Sequence, residues 1–141
     1  MKKLIPITLL NCTVALLMFA CSSNSTTNTK SIFGRWKIVD VQNSDTVLKI
    51  PEKILYVIEL NTDSSFSVYI EDNILKGIFS VKANQQIEFK DITVTDVCCN
   101  SQLGETIELL FSKSPFQFQL RNDTLLLSNK NEQLSIKFIQ Q

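Results

Sequence analysis

Two neighbouring cysteines, Cys98 and Cys99, form the pattern in this sequence best able to carry chemistry. Adjacent thiols can close a strained eight-membered disulfide ring with a raised reduction potential, which would act as a redox-labile switch. The plainer alternative is one buried thiol beside one partly exposed thiol, because free cysteine is among the most buried residue types. Two thiolates alone make a poor metal site, and the sequence offers neither a histidine nor a CxxC spacing to complete one. The absence of His also excludes a Ser-His-Asp triad and a Cys-His dyad, and removes the usual general base at neutral pH. Catalytic residues, metal ligands and cofactors are therefore all expected to be absent, and the chain is read as a non-enzyme.

Carboxylate pairs are the other chemistry to weigh. Glu71 and Asp72 fall at a hairpin tip, and Glu105 and Glu108 share a helix face. A glycosidase needs two carboxyl groups about 5 to 10 Å apart across a cleft; these pairs read instead as a solvated turn and a solvated helix face. The aromatic residues Trp36, Phe66, Phe79, Phe89, Phe116, Phe118 and Phe138 fall on alternating positions. That spacing is first a core, although a barrel of about eight strands can also hold a small apolar ligand.

The elements that would position these residues begin after an N-terminal address. Lys2 and Lys3 precede a mostly apolar run from Leu4 to Ala20, whose most apolar part, Val14 to Phe19, is shorter than the roughly 20 residues of a spanning helix. It fits a signal-peptide h-region. The following Met18-Phe19-Ala20-Cys21 resembles a bacterial lipobox, with Met18 where Leu is usual. That resemblance implies cleavage after Ala20 and a diacylglycerol thioether on Cys21. Each buried CH₂ is worth about 0.8 kcal/mol, so two or three acyl chains would hold the protein on a membrane almost permanently. Residues 1–20 are thus read as signal peptide and 21–31 as a flexible tether, since Ser22 to Ser31 contains no apolar residue. Ser22 stands where an Asp often signals inner-membrane retention, which favours the outer membrane.

The remaining segment, 32–141, is one domain. The chain of 141 residues carries Lys+Arg 14 against Asp+Glu 14, so a basic nucleic-acid footprint is absent. Short runs of alternating apolar residues recur: Phe33–Val39, Ile54–Leu60, Phe66–Ile70, Gly77–Val81, Ile87–Phe89, Phe116–Leu120, Leu125–Leu127 and Leu134–Phe138. Asn- and Asp-rich turns separate them, including Asn61–Ser64, Asp72-Asn73 and Asn122-Asp123. This pattern predicts a mostly β fold, an antiparallel barrel-like or half-barrel sheet. Asn73 and Gly77 read as hairpin residues, with Gly77 supplying backbone freedom. One stretch departs from period two: between Ser101 and Lys113, Ile107, Leu110 and Phe111 recur at helical spacing, with Leu103 on the same face, and Pro115 ends it. That predicts one helix of about ten residues.

The order of elements and several short motifs resemble the META domain, or HslJ-like, family. Asn73-x-x-x-Gly77-x-Phe79 is similar to its first signature, and Ile87-x-Phe89-x-x-Ile92-x-x-Thr95-x-x-x-Cys99 to its second. Gly34-Arg35-Trp36 matches the opening strand, and the likeness runs over about 33–139. The resemblance implies an extracytoplasmic protein linked to stress, motility or virulence, with a META/lipocalin-like fold. It makes Trp36, Asn73, Gly77, Phe79, Thr95 and Cys99 the structural positions. The family pairs Cys99 with a cysteine that is Asp72 here, so the resemblance implies an unpaired, inward-facing Cys99; period-two alternation then exposes Cys98 if this stretch is extended. The small lipocalin-like lipoproteins share Gly34-x-Trp36 and form the second resemblance, implying a lipid-anchored binder of a small apolar ligand. The expectation is a lipid-anchored envelope protein that meets the membrane through Cys21 and works through a protein partner or such a ligand.

Overall fold

Alternation at period two is what builds the sheet. In Ser65–Ile70, every second side chain (Phe66, Val68, Ile70) is buried, and the intervening Ser67 and Tyr69 face outward. The computed structural model describes residues 31–44, 46–97 and 100–141. It contains β1 (Gly34–Asn43), β2 (Thr46–Lys49), β3 (Val57–Leu60), β4 (Ser65–Ile70), β5 (Asn73–Lys82), β6 (Gln86–Val94), α1 (Gln102–Phe111), β7 (Phe116–Arg121), β8 (Thr124–Asn129) and β9 (Leu134–Gln140). Every pairing is antiparallel, and consecutive strands from β3 to β9 are neighbours.

β1 closes the structure. Along one edge its first half pairs with β3, from Gly34–Leu60 to Lys37–Val57, and its second half pairs with β2, from Asp40–Lys49 to Asn43–Thr46. Along the other edge it pairs with β9, from Trp36–Gln140 to Asn43–Leu134, with a bulge between Ile38 and Asp40. β1 and β3 to β9 therefore form a closed eight-stranded barrel, with β2 as an added flap. The mostly β, antiparallel expectation holds, and the barrel is complete rather than half-formed.

Aromatic side chains fill the interior. Trp36, Tyr56, Phe66, Phe111, Phe116 and Phe138 are fully buried. Phe66 meets Phe89 at 4.9 Å between ring centroids, and Phe89 meets Phe111 edge-on at 5.3 Å. The Trp36 indole N–H donates to Ile32 O at 2.7 Å, which removes the only polar atom of that ring from the cost of burial. Phe79 is also buried and packs between Phe33 and Phe89. Phe118 is only partly buried at the edge of the same cluster.

The helix forms where its spacing places it. Ser101 is the N-cap, its hydroxyl oxygen accepting from Gly104 N at 3.2 Å, and Ile107, Leu110 and Phe111 turn inward. α1 thereby supplies the barrel with part of its core.

Two local expectations are corrected. Asp72-Asn73 is not the turn pair: the turn lies at Glu71-Asp72, with Glu71 at φ 51°, and Asn73 is already the first residue of β5, opposite Ile70. Gly77 lies inside β5, not at a turn, and what it provides is space. A Cβ there would stand 2.5 Å from Lys90 O and 2.7 Å from the Phe66 ring. Opposite it, β6 bulges, the register shifting between Lys76 and Ile78 while Asp91 takes φ 51°. β2 and the outer parts of β1, β5 and β6 extend beyond the predicted runs, whereas Ile54 to Tyr56 lie outside any strand.

Candidate functional site

Asn73 is the one buried polar side chain among the described residues, at 4% exposure, and it anchors a network at one end of the barrel. Its Oδ1 accepts from Val97 N at 2.9 Å and from Thr95 Oγ1 at 3.3 Å, and its Nδ2 donates to Asn100 Oδ1 at 3.0 Å. Thr95 is tied to the same strand a second time. Its Oγ1 accepts from Ile74 N at 2.8 Å, and its own N–H donates to Ile74 O at 3.1 Å. Asn100 then passes the connection to the helix, its Nδ2 donating to Glu108 Oε2 at 3.3 Å. Asn73 thus fastens the segment that leads from β6 to α1.

Glu71, two residues earlier, holds the start of the helix. Its carboxylate accepts from Ser101 N at 2.8 Å, from the Ser101 hydroxyl, and from Tyr56 Oη at 2.8 Å. The Ser101 hydroxyl and N–H, with Tyr56 after them, favour the charged form and hold the Glu71 carboxyl below its ordinary range. Burial pushes the Tyr56 phenol up, and the adjacent Glu71 adds to this. The carboxylate pair at this hairpin tip is therefore not simply solvated: Glu71 serves as a structural acceptor, while Asp72 stays exposed.

Beside this network lies a surface cleft of about 490 Å³. It is lined by Asn73, Thr95 and Asn100, by Val94 at the end of β6 and Asp96 just after it, and by Glu105, Glu108 and Leu109 from α1. The Glu105–Glu108 helix face expected to be solvated is one wall of this cleft. Smaller concavities also lie on the surface, such as the one of about 170 Å³ bounded by Arg121, Leu126 and Lys137 on β7, β8 and β9.

Among the positions singled out from sequence, Asn73 and Thr95 are brought into direct contact. Gly77 and Phe79 lie further along β5 and serve packing, and Trp36 belongs to the core. Cys21, Cys98 and Cys99 lie outside the described residues. The sequence reading missed Tyr56, Asn100 and Ser101. Ser101 had a signal, a hydroxyl residue immediately before a helical repeat; Asn100 had none, because its partners are distant in the chain. Among the described residues no group of His, Cys, Asp and Glu is arranged to hold a metal ion, and no helix is long and apolar enough to cross a membrane.

No family model matches this sequence, and no curated protein does. Solved structures do share its architecture. A DUF4847 family protein from Bacteroides vulgatus superposes with a TM-score of 0.59 at 14% identity, covering 77% of this chain and 92% of its own. A protein from Burkholderia xenovorans superposes with a TM-score of 0.62 at 16% identity, covering 77% of this chain and 81% of its own. At such identities the likeness is one of fold, and it is to β-barrel proteins of this kind that the chain is similar.

Proposed function

We propose that this chain is a lipid-anchored protein of the bacterial envelope, held at the outer membrane through Cys21, whose META-like (HslJ-like) barrel is a non-enzymatic interaction or stress-related module. The observation that carries the reading is the contrast between a ring-filled barrel interior and an open cleft against α1. The rings of Phe66, Phe89, Phe111 and Phe116 pack against one another among the buried residues, which supports a binding surface on the outside over an apolar site within the barrel. The polar groups near the cleft support a non-catalytic role, because Glu71, Tyr56, Asn73 and Thr95 are engaged in holding the β6–α1 connection. The lipid anchor rests on the Met18 to Cys21 pattern and on the apolar-free run that follows it.

Metabolic labelling with a palmitate analogue, followed by membrane fractionation, tests the anchor. The native chain is expected to be labelled and membrane-bound. Cys21→Ala is expected to lose the label and to accumulate as precursor. An unchanged, labelled mature form of that variant would overturn the anchor.

A further inference from the structure

The cleft beside α1 carries acidic charge that no described Lys or Arg lining it offsets. Asp96, Glu105 and Glu108 line it, and no Lys or Arg does. The ion pairs among the described residues lie elsewhere: Arg35–Glu59, Lys82 and Lys90 with Glu88, and Lys113–Glu132. The chain as a whole has a formal charge of zero, so this is a local field and not part of a general acidity. Two exposed apolar side chains line the same cleft, Leu109 on the helix, 64% exposed, and Val94 at the end of β6, 39% exposed. The cleft is therefore amphipathic, and among the described residues nothing covers the outward face of α1 at Leu109.

We infer that this cleft docks a short basic segment of a partner protein, in which Lys or Arg side chains flank one apolar residue. The inference rests on the interaction-module reading above and names the partner's chemistry. Charge complementarity sets the occupant, since carboxylates on both walls demand cations from the other side. The apolar residue follows from Leu109 and Val94, which line the cleft with those carboxylates and would be desolvated by it. Size limits the rest: about 490 Å³ lies within the range of small-ligand sites, room for a few side chains and not for a folded domain. The walls are positioned in advance by the Asn73 and Asn100 hydrogen bonds, so little ordering is needed on binding.

The test uses the full chain in neutral detergent micelles and a fluorescein-labelled KKLKK peptide, read by anisotropy. Saturable binding is expected, with loss on raising salt from about 20 mM to about 300 mM. Glu105→Gln combined with Glu108→Gln should weaken it about ten-fold or more, with unchanged circular dichroism. Leu109→Ser should weaken it several-fold. Glu52→Gln with Glu132→Gln removes equal charge elsewhere and should leave binding intact. Equal loss from that control, or binding untouched by the Glu105 and Glu108 changes, would overturn the inference. So would spermidine competing as well as the peptide while Leu109→Ser has no effect, since the cleft would then read bare charge. Failure of the peptide alongside normal labelling of Cys21 would remove this inference alone. Binding without labelling would remove only the anchor.

Discussion

Where β9 meets β1, backbone pairing runs from Trp36–Gln140 to Asn43–Leu134, whereas β6 meets β7 only at Gln86–Gln117 and Ile87–Phe116. The first seam is a long ladder with one bulge. At the second, α1 and the segments around it take over where pairing stops: Phe89 N donates to Ser114 Oγ at 2.8 Å, and Asn73, Asn100 and Glu71 pin the connection from β6. One side of the barrel is thus held by regular main-chain bonds over a packed core, the other by a few side chains and a helix. A ladder fails as a unit, but individual pins can be released one at a time. The cleft lies on the pinned side, where local opening is expected to be easiest.

The largest effect should come from the ladder. Phe138 is fully buried and lies opposite Ile38. Phe138→Ala should cost about 3–5 kcal/mol, lowering the denaturant midpoint equally by Trp36 fluorescence and by circular dichroism. A loss confined to the helix signal would break the comparison. Gly77→Ala should follow, at about 1–3 kcal/mol, because the new methyl meets a backbone carbonyl as well as the Phe66 ring. An unchanged midpoint would mean that β5 and β6 do not approach as described.

Asn73→Ala acts on the pinned side, removing its hydrogen bonds with Val97 N, Thr95 Oγ1 and Asn100 Oδ1, each worth about 0.5–1.5 kcal/mol. Hydrogen exchange should accelerate from residue 95 through α1 and stay unchanged in β1 and β9. Uniform acceleration would show that the two sides are not separable. The smallest effect concerns acid. The folded-state value of Glu71 is depressed, so its contribution is fully present above the ordinary value of 4.5. It is lost as pH falls through the lower folded value. Exchange protection in α1, taken relative to the intrinsic amide rate at each pH, should therefore fall below about pH 4.5 in the native chain. Glu71→Gln should flatten that dependence.

Much of the ladder could be read directly from the sequence, and little of the pinned side could. Period-two runs such as Phe66 to Ile70 and Leu134 to Phe138 report a buried face residue by residue, so strands and core emerge from local pattern. The helix was legible for the same reason, from Ile107, Leu110 and Phe111. Asn73 was misread as a turn residue because its composition is that of a turn, while its reason for being there lies at Thr95, Val97 and Asn100. The META-like resemblance did single out both Asn73 and Thr95, without indicating that they touch. Gly77 illustrates the same limit: the need for glycine arises from Lys90 and Phe66 on neighbouring strands, and no local spacing encodes that approach. β2 went unpredicted because its four residues bury too little to show a period.

That flap has a consequence for how such molecules coexist. Without Thr46–Lys49, the stretch Asp40–Asn43 would present a free row of amide and carbonyl groups, a template on which another chain could add a strand. β2 occupies that row, and with four residues and Lys49 exposed it makes a short, charged outer edge of its own. When copies of the chain collide, such an edge guards against sheet-to-sheet aggregation between them.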